Sequence, residues 1–540
     1  MDKTAFPSKI TRRRFIFGIG LAGSAIALGA SGCATEKSPG TASSSKPGDS
    51  SSEAGGGSEK KILRLTTGFA ISNLIPSKNG FWGNEFGFSE LLLRPQPDGN
   101  PTDWILQEAV SKDDLTWELT LKDGVHFQNG NPLGAEQLAK LMNYQIENTD
   151  SVKGVLSGAK ATAEGDKTVI LKTKNPVPDM RNILCDEAYF LMFDLPAYLE
   201  TKDDNAKLIA AKIYTGPYVP TEVSDEKLVM VADENYWGGK TGLDGVEVRF
   251  VSDAGARLRA VQNDEVDIAL YPPTQAAQTL TDDRAKFNLG EAGGPTFCFY
   301  MNERKPVFSD PKVRRAILRM IDYKVLAEDV MQGLYEPSYS FYDPKLSYSV
   351  EIWKTDNAEA EKLLTEAGCK KESGAWKLPD GSPLTFEVMT YPQQPDSDAL
   401  ALAIQSQMKK QGVEMSIKQV PSISEALAGN DWTAGMSANG TLSFGGSPIS
   451  PLKRGYHSKG ERNFSKINDP ELDAMIEEVE KTMDKQKSDD LLRKIQERIG
   501  EFGYNGYTGR RRPGVVVGKR VPNYQPQHAL IWVDYKTSIG

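Results

Sequence analysis

Positions 81–88, where aromatic residues alternate with glycines, form the stretch whose residue types best suit chemistry. Phe81 and Trp82 offer flat apolar rings on which a small molecule can stack. The Asn84 amide and the Glu85 carboxylate beside them offer hydrogen bonds that would orient such a molecule. This is the chemistry of non-covalent binding. The alternative is that the same rings anchor the following element in the core.

The chain is poor in the residues that catalysis and metal binding usually need. Its 540 residues include three His and four Cys, which excludes a Cys/His-rich metal cluster and leaves little choice for a catalytic triad. No phosphate-binding or dinucleotide-binding glycine pattern and no nucleophile motif occurs. The formal charge of −9 argues against nucleic acid, because phosphate contacts need clustered Lys and Arg. We therefore expect a binding protein with no cofactor, no resident metal and no nucleic-acid partner.

Residues 1–32 have the layout of an export signal. They carry five basic residues and one acidic residue, and positions 15–32 are uncharged. Positions 11–16 resemble the twin-arginine motif, and the small residues before Cys33 resemble a bacterial lipobox. The pattern predicts a twin-arginine-type lipoprotein signal whose Cys33 is acylated. A transmembrane anchor is the alternative, but the run is shorter than the roughly 20 strongly apolar residues that a spanning helix needs.

Residues 33–59 follow as the lipidated Cys and a tether without a large apolar side chain, which predicts disorder. The protein is expected outside the cytoplasm, lipid-anchored to the outer face of the cytoplasmic membrane or periplasmic. Beyond Cys33 the cysteines are Cys185, Cys298 and Cys369. Their odd number and wide spacing allow at most one disulfide, and we expect three buried small side chains.

The body of the chain mixes strands with helices, which predicts an α/β class. Positions 61–67 and 115–121 alternate as strands do. The spacing predicts that 115–121 forms a hairpin with 125–127, and that 88–93 begins a helix. A chain of this length exceeds a single core, so more than one domain is expected.

Motifs in a fixed order carry a family resemblance. Thr102 to Trp104, then 115–127 and 129–136, are followed by the segments 215–218, 235–239, 253–257, 263–267, 308–316 and 468–473. This set resembles the peptide/nickel-type (family 5, cluster C) extracytoplasmic solute-binding proteins of ABC importers. The resemblance implies a bilobed periplasmic-binding-protein-like fold of type II with an extra subdomain in the first lobe. The implied ranges are 60–104, 213–293 and 508–540 for the first lobe, 105–212 for the subdomain, and 294–507 for the second lobe.

The resemblance also implies a cleft between the lobes, with the segment at 81–88 contributing Asn84 and Glu85. The other residues expected to face the solute are Phe69, Phe81, Trp82, Tyr391, Phe444, His457 and Arg511. His457 is expected at most to contact a metal chelate, and its alternative role is structural. The basic run at 510–512 has the alternative of a solvated loop.

Peptide binders of the family hold the amino terminus of the ligand with an acid in a second-lobe loop. The corresponding positions here, 439–451, contain no Asp or Glu. The solute therefore stays open between a small peptide, a peptide-like compound and a chelated metal. The implied partners are an ABC permease and the membrane at Cys33, with the protein acting as a monomer. A sensory receptor without transport and an exported enzyme are the alternatives; a neighbouring permease gene would favour import, and a neighbouring histidine kinase gene would favour sensing.

Overall fold

The computed structural model describes residues 60–540 apart from 97, 188, 274–275, 281–282, 292–295, 393–395, 440–445 and 527–530. The predicted signal, Cys33 and the tether lie outside the described residues, as does Phe444. Among the described residues, no helix is both long and apolar enough to cross a membrane. Cys185, Cys298 and Cys369 are all buried, as predicted.

The chain enters the first lobe through an alternating strand that buries Leu63 and Leu65. The elements in order are β1 (Ile62–Thr67), α1 (Pro76–Asn79), α2 (Trp82–Phe86), β2 (Leu93–Arg94) and β3 (Thr102–Asp103). The predicted helix at 88–93 is wrong. Gly87 adopts a left-handed conformation (φ 88°) and ends α2, because a Gly at this position closes a helix without steric cost. The following residues run without helical structure to β2.

The extra subdomain contains an antiparallel sheet in the order β4-β5-β7-β6. Its elements are β4 (Leu106–Asp113), β5 (Thr116–Leu121), α3 (Ala135–Asn148), α4 (Asp150–Leu156), β6 (Lys160–Glu164), β7 (Thr168–Lys172), α5 (Met180–Leu184), α6 (Leu195–Thr201) and α7 (Asn205–Ala211). The predicted hairpin partner of β5 is wrong. Its two edges are filled by β4 and β7, and residues 125–127 contribute only the isolated bridge from His126 to Pro132.

The chain then completes most of the first-lobe sheet. The elements are β8 (Tyr218–Val223), β9 (Lys227–Ala232), β10 (Gly245–Phe250), α8 (Ala254–Gln262), β11 (Ile268–Leu270), α9 (Ala276–Thr279) and β12 (Ala285–Leu289). Strand β1 lies between β10 and β11 and is parallel to both. The carboxyl ends of these three strands therefore meet at one edge of the sheet.

The second lobe is built around a sheet in the order β14-β20-β13-β19-β17-β18. Its elements are β13 (Thr296–Met301), a 3₁₀ turn at Pro306–Phe308, α10 (Pro311–Met320), α11 (Tyr323–Val325), a π turn at Leu326–Val330, β14 (Tyr335–Glu336), α12 (Asn357–Glu366), β15 (Lys370–Glu372), β16 (Ala375–Lys377), β17 (Thr385–Thr390), α13 (Asp396–Gln411), β18 (Glu414–Gln419), α14 (Ile423–Ala428), β19 (Ala434–Asn439), α15 (Ile449–Gly455), α16 (Pro470–Val479), α17 (Lys485–Phe502) and β20 (Asn505–Arg511). Strand β21 (Gly514–Gly518) then rejoins the first sheet, which reads β12-β21-β11-β1-β10-β9-β8.

The two largest of three apolar core clusters lie in different lobes, in agreement with the bilobed α/β fold. One core joins first-lobe residues such as Leu65 to subdomain residues such as Leu119, so the subdomain shares the core of the first lobe. The other contains second-lobe residues such as Phe299 and Ile317. Met483 of the second lobe also packs against the first of these cores.

The described residues next to the two chain crossings between the lobes, Gly290 and residues 512–513, lie side by side. The Gly290 amide, after β12, donates to the Pro513 carbonyl at 2.8 Å, and Arg512 Nε donates to the Gly290 carbonyl at 2.9 Å. The return crossing follows Arg511, because β20 pairs with β13 and β14. The predicted boundary between residues 507 and 508 therefore falls inside β20.

Candidate functional site

The candidate site lies at the shared carboxyl edge of β1, β10 and β11. The β10-α8-β11 connection crosses over β1, so the loops after these strands diverge there, and such points in parallel sheets are the common ligand sites. Phe69 follows β1 and Tyr271 follows β11, and their rings meet edge to face at 4.9 Å. Phe69 is 51% exposed, which is unusual for a phenylalanine and leaves one ring face open to a solute.

Arg257 on α8 holds this edge in place. Its buried guanidinium donates to the carbonyls of Val251 (2.6 Å), Leu270 (3.0 Å) and Tyr271 (2.5 Å). Gly68 is required at the end of β1, because a Cβ there would lie 3.0 Å from Arg257 Nη1. Arg257 thus connects the ends of β1, β10 and β11 and positions the residues that follow them.

Tyr271 takes a backbone conformation that side-chain-bearing residues rarely adopt, with φ at 51°. Such a conformation costs on the order of 1 kcal/mol or more and persists only where the surroundings fix it. The hydrogen bond from Arg257 to the Tyr271 carbonyl is one such restraint. The strand end is therefore built to present this ring to the crevice.

Helix α2 forms an aromatic wall beside Phe69. The Trp82 ring lies 5.8 Å from that of Phe69, 4.9 Å from Phe81 and 5.7 Å from Phe86. Trp82 is only 9% exposed, so most of it is core. The interpretation of the segment at 81–88 as a core anchor is therefore confirmed for Trp82 and Phe86, and its contact with a solute stays a prediction.

The polar residues of α2, Asn84 and Glu85, have buried side-chain atoms without hydrogen-bond partners. Asn84 is 3% exposed and neither of its amide atoms has a hydrogen-bond partner; Glu85 Oε2 is also buried and unpartnered. Burial and the charge of Glu187 raise the pKa of Glu85 to about 8. Burial and Asp186 raise the pKa of Glu187 to about 7, and the nearby Asn84 amide opposes that rise.

The second lobe contributes Arg511, at the end of β20 and opposite Tyr335 of β14. Burial and Glu85 raise the pKa of Tyr271, and the Arg511 guanidinium opposes them. Arg511 has the same opposing effect on Tyr335, whose hydroxyl donates to Asp396 Oδ2 at 2.6 Å. Arg511 therefore lies near Tyr271 of the first lobe and Tyr335 of the second, and its contact with a solute stays a prediction.

The neighbouring arginines have other tasks. Arg510 is 2% exposed and donates to the carbonyls of Ser340 and Tyr342. Arg512 binds the Gly290 carbonyl at the crossing. The interpretation of the run at 510–512 as a solvated loop is therefore wrong for Arg510.

The remaining predicted contacts are placed as follows. Tyr391 is 8% exposed, and its hydroxyl accepts from the Ala438 amide at 3.2 Å. His457 is 9% exposed, with Nδ1 accepting from the Lys459 amide at 3.1 Å and Nε2 lying 3.4 Å from Glu477 of α16. The imidazole is thus engaged with α16. Phe444 lies outside the described residues.

A family model for bacterial extracellular solute-binding proteins, family 5 (middle), matches residues 100–463. The chain belongs to this family. The nickel-binding protein NikA of Staphylococcus aureus is 25% identical over 460 residues, which cover 84% of this chain and 90% of that protein. The dipeptide-binding protein DppE of Bacillus subtilis is 24% identical over 79% of this chain and 81% of that protein.

Solved structures share the fold. The structure of NikA from Brucella suis in complex with Fe(III)-EDTA matches with a TM-score of 0.76 at 20% identity, covering 89% of this chain and 99% of that chain. The family and these relatives are binding proteins, so this family 5 protein is a solute-binding protein. Enzymatic activity has no support from family membership.

The motifs that carry the family resemblance have largely structural roles in this solute-binding protein. Trp104 and Trp237, from the motifs at 102–104 and 235–239, each donate an indole N–H at 2.9 Å to the buried carboxylate of Glu90, and the Tyr236 hydroxyl donates at 2.5 Å. Arg94 stacks over the Trp104 ring at 3.4 Å. Glu90 gathers the two motifs into one packed unit below the crevice.

Sequence reasoning missed three residues of the site: Arg257, Tyr271 and Glu187. Tyr271 could have been found, because it directly follows the apolar segment that forms β11 and the end of a parallel strand is a favoured ligand position. Glu187 lies in an irregular segment after α5, and no local pattern marks it. Among the described residues, no group of three or more His, Cys, Asp or Glu side chains is placed to hold a metal ion.

Proposed function

We propose that this protein is a receptor that captures a small solute outside the cell and delivers it to the permease of an ABC importer. The observation that carries this proposal is the half-exposed Phe69 ring at the shared carboxyl edge of β1, β10 and β11, in a chain that matches a family of extracellular solute-binding proteins. Closure of the lobes would bury the solute and create the surface that a permease recognises.

The solute we propose is a small peptide, a peptide-like compound or a chelated metal. Relatives named for nickel and for dipeptides support this range. A bare metal ion is disfavoured, since the described residues provide no three-ligand cluster. Any nickel would arrive with its own chelator, whose carboxylates suit Arg511 and whose apolar parts suit Phe69.

The experiment is native mass spectrometry of the protein purified from its own envelope, combined with metal analysis of the released solute. A retained small molecule supports the proposal, and its mass and metal content separate peptide from chelate. Retention of no molecule, together with no thermal shift from peptides or metal chelates, would contradict it.

We also propose that the receptor is monomeric and attached to the membrane through lipidated Cys33. The small residues before Cys33 and the polar tether after it support the attachment. In Cys33→Ala, the folded body should be released from the membrane or keep its signal uncleaved. Unchanged attachment of a processed protein would contradict the lipid anchor.

A further inference from the structure

Glu85 and Glu187, here called the acid pair, differ from Glu90, a buried carboxylate of the first lobe. Glu90, five positions along the chain, receives hydrogen bonds from Trp104, Tyr236 and Trp237. Glu85 Oε2 is equally enclosed but has no hydrogen-bond partner. Buried polar groups that serve the fold are nearly always satisfied, so Glu85 has the signature of a group that waits for a partner from outside.

The surroundings of the acid pair show the same deficit. Asn84, adjacent in α2, is 3% exposed and neither amide atom has a partner with good hydrogen-bond geometry, although the amide lies near enough to Glu187 to interact with it. In the described part of the chain, no Lys, Arg or His forms an ion pair with Glu85. A buried carboxylate without a cation costs folding energy, and a protein that keeps one gains something else from it.

Aromatic rings complete the surroundings. The Phe69 ring lies between two others, with its centroid 5.8 Å from that of Trp82 and 4.9 Å from that of Tyr271. Trp82 and Glu85 are three residues apart in α2 and so lie on one face of the helix. A carboxylate beside aromatic faces is a favourable environment for an organic cation, which binds the charge and the ring quadrupoles together.

We propose that the solute carries an ammonium or guanidinium group that binds the acid pair against Phe69, Trp82 and Tyr271, and an anionic group that binds Arg511. This inference rests on the proposed function, because it assumes that the solute occupies the crevice. It also accounts for the second-lobe segment 439–451, which has no Asp or Glu: the acids that receive the cation come from the first lobe instead.

The test compares pairs of probes that differ by one positive charge: arginine with citrulline, and dipeptides with a free or an acetylated amino terminus. Binding to wild type, Glu85→Gln and Glu187→Gln is measured by calorimetry, with Glu234→Gln as the control. Glu234 is exposed on the same lobe. In wild type the charged member of at least one pair should bind about tenfold or more tightly than the neutral one, and both acid-pair variants should lose that preference.

Two results would overturn the inference. One is equal binding of both members of every pair to wild type, or no binding of any cationic probe. The other is a preference that survives in Glu85→Gln. If native mass spectrometry finds a neutral or anionic solute that wild type and Glu85→Gln retain equally, the receptor function stands and the cation site falls. If wild type retains no solute and binds no probe, the proposed function itself fails.

Discussion

Replacing Glu85 by Gln should stabilise the unliganded protein, and the gain should depend on pH. The pKa of Glu85 is raised from 4.5 to about 8 in the folded protein. Between these values the unfolded chain has lost the proton and the folded protein retains it. Stability therefore falls as pH rises from about 4.5 to about 8 and is level above that range.

The size of the effect follows from the shift. One pKa unit corresponds to about 1.4 kcal/mol, so full ionisation of Glu85 costs the folded state up to about 5 kcal/mol. Gln removes this cost, and it also removes one of the charges that face Glu187, whose own pKa is about 7. We expect Glu85→Gln and wild type to be nearly equal at about pH 5, and the variant to be more stable by about 3 to 5 kcal/mol at about pH 9.

The assay is urea unfolding of solute-free protein across this pH range, followed by circular dichroism and fluorescence. Glu234→Gln, at an exposed position, should follow wild type at every pH. The titratable groups that interact with Glu85 and contribute to the profile are Glu187, Tyr271 and Tyr524. If stability does not fall between about pH 5 and about pH 9, or falls equally in Glu85→Gln, the idea of an uncompensated carboxylate is refuted.

Three further substitutions test other parts of the site. Phe69→Ala should weaken solute binding while changing stability by less than about 1 kcal/mol. The control is Leu199→Ala, which removes an equally exposed side chain and should leave binding intact. Equal binding in both variants would contradict a role for Phe69. Arg257→Met should destabilise the protein by more than about 3 kcal/mol, because several buried carbonyls lose their donor. Arg259→Met, on the exposed side of α8, should not. Similar melting temperatures of the two variants would refute the role of Arg257 in holding the strand ends. Asp179→Ala should speed solute release about tenfold, as measured by stopped-flow fluorescence. The substitution removes the carboxylate that accepts a hydrogen bond from the Ser447 hydroxyl of the second lobe. An unchanged rate would show that this contact does not hold the lobes closed.

The Asp179 contact belongs to a cavity of about 690 Å³ between the extra subdomain and helices α15 and α16. Burial raises the pKa of Asp179, and the hydrogen bond from Ser447 opposes the rise. The Ser447 Oγ also accepts from the Ser450 amide at 3.0 Å, at the start of α15. Contact between the lobes at this point is therefore polar and specific, which suits a closure that must also reopen.

Trp82 shows why burial must be known before a predicted binding residue is replaced. Its type and neighbours predict an aromatic at the binding segment, and the structure places it next to Phe69. Its burial, at 9% exposure, depends on residues remote in sequence and could not be read from positions 81–88. Removing a buried Trp costs about 3 to 5 kcal/mol, so Trp82→Ala would mix loss of binding with loss of stability, whereas Phe69→Ala does not.

The position of a strand along the chain was predictable from the sequence, but its pairing partners in the sheet were not. The alternation at 115–121 is correct for β5, yet the pattern is the same whether the strand pairs with its sequence neighbour or with β7, some fifty residues later. Local chemistry decides a turn, and the long-range sheet order decides the partner. The crossing after Arg511 was misplaced for the same reason, because β20 is assigned to the second lobe by its pairing with β13.

Glu85 and Glu90 carry this argument to the site itself. Both are glutamates in one short segment, and burial raises the pKa of each. Glu90 is a structural residue because Trp104, Tyr236 and Trp237 reach it from two other parts of the chain. Glu85 lacks such donors and is left to bind. The difference between a scaffold residue and a binding residue thus lies in the partners that the fold supplies, and the missing partner of Glu85 is the most direct indication of what the solute must bring.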